Sequence, residues 1–229
     1  RATAIVTSGG AAISIAWLAI SVLYRWETAS HFNTFVRVFG VPRGIGPLTE
    51  EQIQHRESSI RIVTAGLRGP VQRLERIDRT GRLKNVLTDT YFTLASEAAD
   101  EWPGARWAYE YDQSGAIISE MEYDRSGRRL RGFVYPPTSP NEARTTRRGY
   151  FVGPSGAPQV QGQRIVGLTI EYTEQGFDRI TRFQGVDGTP VRGRWKQFAN
   201  RDEYDAAGNL TARTSLDKQD RPMVDSAGN

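Results

Sequence analysis

The tetrapeptide Asp-x-x-Gly occurs at Asp78/Gly81, Asp112/Gly115, Asp124/Gly127 and Asp205/Gly208, each time between runs of alternating apolar and polar residues. In a type I turn, a short acceptor side chain at the first position takes up the turn's own amides. Glycine at the fourth position then adopts the positive φ from which the next strand begins. The four aspartates are therefore read as turn residues and not as a catalytic carboxylate pair. Catalysis needs one odd position among the copies, and the copies offer none.

A longer period runs through the same region. Pro158, Pro190 and Pro222 stand 32 residues apart, and Gly176 and Gly208 keep that step, with Gly188 in the related segment VDGTPV. Glu-Tyr pairs recur at Glu110-Tyr111, Glu122-Tyr123, Glu171-Tyr172 and Glu203-Tyr204. Neighbours in a strand point to opposite faces, so the tyrosine is expected to bury its ring while the glutamate faces water. Self-similarity at this period implies stacked hairpins, each too small to bury its own face and completed by its neighbours.

The segments YEYDQSGAI, EYDRSGRRL and EYDAAGNL resemble the Tyr-Asp repeat (Rhs-type) family, whose units build long β-hairpin sheets. They are similar also to bacterial repeats of MORN type. The resemblance covers at most Arg106 to Asn229 and implies a hairpin sheet. The chain departs from the Tyr-Asp pattern in three ways: its spacing alternates between 12 and 20, Thr173 stands where a turn Asp belongs, and the copies are too few for the toxin-enclosing shell of that family. The hairpin sheet is carried over and the toxin function is not.

The N-terminal part reads differently. Ala2 to Tyr24 carries no charge, and at about 1.5 Å of rise per helical residue it is long enough for a hydrocarbon core of roughly 30 Å. A single transmembrane helix is expected over 1–26, with a signal peptide and a buried soluble helix as the alternatives. Ser8, Ala12 and Ala16, beside Gly9, form a small-residue seam suited to close helix packing in lipid, although small residues are common in such helices. Tyr24, Arg25 and Trp26 have the character of an interfacial anchor. Phe32, Phe35 and Phe39, together with Val36, fall at helical spacing, so an amphipathic helix on the bilayer surface, on a partner or in a core is expected, followed by the connector GVPRGIGPL. Thr49 and Gln52 are spaced for a capping box that starts a short helix reaching about His55. From Ser59 the period becomes two, with strands on both sides of the Asp78 turn and a helical or loop insertion at DTYFTLASEAADEWPG. The expected fold is thus an N-terminal transmembrane α-helix followed by a mainly antiparallel β domain of repeated hairpins. Its sections are 1–26, 27–58, 59–105 and the repeat region 106–229.

Chemistry-bearing motifs are few. There is no cysteine, which removes disulfides and thiol catalysis, and His31 and His55 are 24 apart, too far for a His-x-x-x-His pair. The segment VGPSGAP misses the nucleophile elbow because Ala157 occupies its last position. No catalytic, metal-binding or cofactor-binding residue is assigned, and no cofactor is expected; a glycosidase-like carboxylate pair is the residual enzymatic alternative. Of 30 basic residues only Lys84, Lys196 and Lys218 are lysine. Arg144, Arg147, Arg148, Arg192 and Arg194 are a candidate patch for anionic headgroups or an acidic partner, a solvated sheet face being the plainer reading. The net charge of +4 is spread among interleaved acids, so nucleic acid is not an expected partner.

The expected function is that of a non-catalytic, membrane-anchored accessory subunit bracing a larger bacterial membrane complex of the respiratory, photosynthetic or secretion type. Its expected partners are other membrane proteins and the lipid bilayer. The alternatives are the ligand-sensing tail of a membrane receptor and an anchored hydrolase. The expected location is the bacterial inner membrane; Arg25, Arg37 and Arg43 follow the helix while only Arg1 precedes it, a count that points to a cytoplasmic β domain and leaves the opposite side as the alternative.

Overall fold

The structure is a computed structural model describing residues 26–84, 104–139, 142, 144–162, 164–193 and 195–223. Those residues form one sheet of 12 strands. Strands β1 (Glu27–Val38) and β2 (Val41–Pro47) form a hairpin, followed by helix α1 (Glu50–Gln54) and strands β3 (Ser58–Ala65) and β4 (Val71–Asp78). The remaining strands are β5 (Arg106–Tyr111), β6 (Ile117–Tyr123), β7 (Arg129–Val134), β8 (Thr146–Val152), β9 (Gly167–Tyr172), β10 (Asp178–Gln184), β11 (Ala199–Tyr204) and β12 (Leu210–Leu216). From β3 to β12 the order in space follows the order in sequence. At the other end β1 lies between β3 and β2. All pairings are antiparallel.

Local chemistry makes the turns. The Asp112 carboxylate accepts from the Ser114 amide at 2.8 Å, the Ser114 hydroxyl at 2.6 Å and the Ala116 amide at 3.0 Å. The Gly115 amide donates to the Asp112 carbonyl at 3.1 Å, and Gly115 has φ of 81°. The same network forms at Asp78 and Asp124. At Asp205 the Ala207 and Asn209 amides donate likewise, but the Asn209 side chain donates at 2.8 Å in place of a hydroxyl. The partner glycines Gly81, Gly127 and Gly208 also have positive φ. At the Thr173 turn the hydroxyl accepts from the Phe177 amide at 3.1 Å, and Gly176 keeps the positive φ.

The 32-residue step is also a step in three dimensions. Strands β8, β10 and β12 start and stop at intervals of 32, as do β9 and β11. The loops that follow β8, β10 and β12 close alike: the amides of Gly153, Gly185 and Asp217 donate to the carbonyls of Ala157, Thr189 and Arg221 at 2.8–2.9 Å. Bridges at Pro158, Pro190 and Pro222 complete each loop. Gly156 and Gly188 supply the positive φ in the first two, as does Gly188's counterpart Asp220 in the third.

The 27–39 segment is not a helix. Phe32, Phe35, Val36 and Phe39 have helical spacing, but the run is short and rich in residues that lose freedom in a helix, such as Thr28, Thr34, Val36 and Val38. What decides is pairing: Glu27 to Phe32 lie against β3 and Phe32 to Val38 against β2. The expected connector GVPRGIGPL is largely β2, where Pro42 and Pro47 are tolerated because this strand is the sheet's edge. A two-residue turn joins β1 to β2, with Phe39 and Gly40 at φ of 51° and 80°. That is the geometry of a type I′ hairpin. Helix α1 does form, with Thr49 and Gln52 in a capping box and His55 as its C-cap.

The core gathers Ile60, Ile62, Leu74, Trp107, Tyr109, Phe133, Phe151, Leu168, Ile170 and Phe183 on one face of the sheet, with Phe32, Phe35 and Phe39 packed against them. The tip of the β1–β2 hairpin lies on that face. The Phe39 amide donates to the Gly176 carbonyl at 2.7 Å, and a Cβ on Gly40 would lie 3.5 Å from both Ile117 and the Tyr135 hydroxyl. At the Gly208 turn a Cβ would stand 3.4 Å from Val36. One hairpin thereby touches the β5–β6, β9–β10 and β11–β12 turns.

Candidate functional site

The register of β5 and β6 determines which carboxylates enter the core. Tyr109 pairs with Glu120 and Trp107 with Glu122, and cross-strand partners share a face. Because Trp107 and Tyr109 point into the core, Glu120 and Glu122 must follow, and both are fully buried. The expectation that glutamate faces water and tyrosine the core therefore fails at Glu122-Tyr123. It holds for Tyr172, which is buried while Glu171 is half-buried.

Buried carboxylates require partners. Glu120 has two partners: the Arg37 guanidinium of the N-terminal hairpin donates at 2.7 and 3.0 Å, and the hydroxyl of Tyr135, the residue after β7, donates at 2.9 Å. Glu122 accepts from Arg131 Nε at 2.7 Å. Burial pulls the Arg131 guanidinium down to about 10, against the opposing pull of Glu122. Arg147 sits nearby with its guanidinium 4.3 Å from the Tyr135 ring centre and donates to the Ile117 carbonyl. Tyr109, Tyr135 and Tyr172 all have their hydroxyl pKa values pushed upward, chiefly by burial. Of the three, the Tyr135 hydroxyl is the one that donates to a carboxylate, that of Glu120.

Phe39 fastens the same hairpin tip. Its ring meets Tyr172 edge-on with centroids 5.4 Å apart. It also covers Gly176, where a Cβ would come within 2.6 Å of the ring. A non-glycine aromatic at positive φ is uncommon. Here the amide bond to Gly176 and the ring contact hold it from both sides. Arg37, Glu120, Tyr135, Phe39 and Gly176 thus form a staple between the N-terminal hairpin and the repeat sheet.

A second feature is open to solvent. A cleft of about 600 Å³ lies between the end of α1 and the Asp78 turn, where His55, Arg56, Arg79, Arg82 and Lys84 outnumber Glu57 and Asp78. Lys84 is paired with Glu57 at 2.6 Å, and Asp78 spends one oxygen on its own turn. Among the described residues no group of three or more His, Cys, Asp or Glu is placed to hold a metal.

The arginine patch divides. Arg147 points into the core and Arg148, its neighbour in β8, points out, as strand alternation requires. Arg144 and Arg192 are exposed, and Arg192 lies 5.6 Å from the Phe198 ring centre. Arg194 lies outside the described residues. Phe32, Phe35 and Phe39 are partly buried and packed against the core. Trp26 is exposed. Ser8, Gly9, Ala12, Ala16, Tyr24 and Arg25, and with them the expected transmembrane helix, lie outside the described residues, as does the expected insertion up to 103. Among the described residues no helix is long and apolar enough to cross a membrane.

Sequence reasoning did not find Arg37, Glu120 or Tyr135. The only available signal was IISEMEY, where Glu120 and Glu122 share one side of a strand beside a strand of inward aromatics. No protein-family profile and no curated protein sequence matches the chain.

Proposed function

We propose that the chain is a membrane-anchored scaffold subunit, acting by binding and not by catalysis, that braces a larger bacterial membrane complex. The observation that carries this reading is how its recurring carboxylates are used. Those at the turns cap backbone amides; on the strands, Glu75, Glu122 and Asp202 are tied to arginines of neighbouring strands and Glu120 to Arg37 of the N-terminal hairpin. A continuous sheet fixed in this way presents a stiff surface of constant spacing, the property a brace requires. The uncharged stretch from Ala2 to Tyr24 supplies the anchor in this reading.

The seam at Ser8, Ala12 and Ala16 gives the test. Helices associate in lipid by close packing of small residues, so Ala12→Leu is expected to release the subunit from its native partners after mild detergent extraction, and Ala19→Leu is expected to leave it bound. Equal comigration of both variants on a gradient would remove the packed-helix basis for this reading. The cleft lined by Arg56, Arg79 and Arg82 favours a second reading, the ligand-sensing tail of a membrane receptor. Binding of a small anionic ligand that Arg79→Ala abolishes would select it.

A further inference from the structure

The two edges of the sheet are built differently. Strand β2 is blunted: Pro42 and Pro47 lack amide donors, Gly44 and Gly46 interrupt the run, and Arg43 is exposed. Proline, glycine and charge are the devices by which proteins keep an edge from recruiting another strand. Strand β12, sequence LTARTSL, has no proline and no glycine. Its single charge, Arg213, is drawn back onto Asp202 of β11 by two bonds of 2.7 Å. Among the described residues nothing extends the sheet past β12.

The repeat itself shows what such an edge receives. Phe151 in β8 and Phe183 in β10 stand 64 and 32 residues before Ser215. Their amides turn away from the preceding strand to the carbonyls of Val166 and Phe198, at 2.9 and 3.1 Å. Strand β9 then pairs along β8, and β11 along β10. The loop after β12 repeats the earlier loops bond for bond, down to the Met223 amide on the Ser215 carbonyl that matches Val191 on Phe183. Ser215 therefore presents its amide outward in the place where the two earlier units accept a strand.

We propose that β12 is a strand-accepting interface, and that its occupant is an extended segment of a partner protein with the character of β11. The β10–β11 register sets Arg182 against Ala199, Thr181 against Asn200 and Ile180 against Arg201. Moved on by 32, it sets a small residue against Thr214 and a carboxamide or carboxylate against Arg213. Main-chain bonds supply the affinity of such an addition and the alternating side chains its selectivity. This deepens the scaffold reading by naming the surface a partner uses.

The test uses the full 229-residue chain in mild detergent and a fluorescent peptide QFANRDEYDA, the sequence of residues 197–206. Saturable binding is expected, with no binding of a scrambled peptide. Ser215→Pro removes an outward donor and is expected to weaken binding by about tenfold or more, while leaving the melting temperature near that of the parent because the lost amide faces away from β11. Absence of saturable binding, or equal binding to a folded Ser215→Pro variant, would overturn the proposal. So would a concentration-dependent dimer that Ser215→Pro dissolves without peptide binding, since the occupant would then be a second copy. Failure here, with Ala12→Leu released and Ala19→Leu retained after extraction, would leave the scaffold reading standing on another surface.

Discussion

The repeat half and the N-terminal hairpin achieve order by opposite means. In the repeat half the Asp-x-x-Gly turns are closed by residues within four positions of one another, and from β8 onward the same solution returns every 32 residues. The β1–β2 hairpin has no counterpart elsewhere in the sheet, and its decisive contacts reach 83 residues along the chain, from Arg37 to Glu120. A repeated sheet can therefore lose one cap and keep its neighbours' geometry, since each unit contacts mainly the next. A single staple has no spare copy.

The sharpest way to break that comparison is to remove one partner of the staple. Glu120→Ala strands the Arg37 charge in the core and is expected to cost roughly 3–5 kcal/mol, read as a fall in the urea midpoint. Glu27→Ala, which breaks the more exposed pair with Arg73 and leaves Arg73 beside Glu75, is expected to cost about 1 kcal/mol or less. Similar losses for both would show that the staple is no stronger than a surface pair.

A smaller effect separates clasp from turn. Gly176→Ala and Gly115→Ala both force a side chain into positive φ, at a cost of roughly 1–2 kcal/mol. Only the Gly176 substitution also drives a Cβ to within 2.6 Å of the Phe39 ring, whereas nothing lies within 4 Å at Gly115. Thermal melts should place Gly176→Ala lower, by a further 1–3 kcal/mol or so from overpacking. Equal melts would mean that Phe39 moves freely and does not clamp the hairpin.

The smallest expected effect is a pH dependence at the turns. Hydrogen bonding from Ser126, with further bonds from Arg128, holds the Asp124 carboxyl down to about 2, below its ordinary value of 3.8. Asp78, Asp112 and Asp205 are depressed for similar reasons. A group whose folded pKa is depressed stabilises the fold above its unfolded pKa and loses that contribution as pH falls through the folded one. Stability should therefore decline between about pH 4 and pH 2, and Asp124→Asn should make that decline shallower in urea titrations. An unchanged slope would remove Asp124 from the acid-sensitive set.

How far the sequence could be read follows from the range of the interactions. The Asp-x-x-Gly turns and the capping box at Thr49 were legible because donor and acceptor lie three or four residues apart, so the residues that make the bond also spell it. The proline step announced the equal spacing of β8, β10 and β12. The segment from Glu27 to Val38 was misread because a short apolar run fits two periods, and only β2 and β3, lying on either side, select the strand. Arg147 was misplaced in a surface patch because the sequence does not state which face of β8 is inward. Its pairing with Ile170 does.

By itself, then, the sequence determined where this chain turns and at what interval the turns recur, since a turn is closed by neighbouring residues whatever surrounds it. Tertiary structure alone decided which face of each strand is inward, that Glu120 would be buried, and that Arg37 would come from the far end of the sheet to meet it. Side-chain facing is set by register with the adjacent strand, and a register is a relation between distant segments that neither segment carries alone.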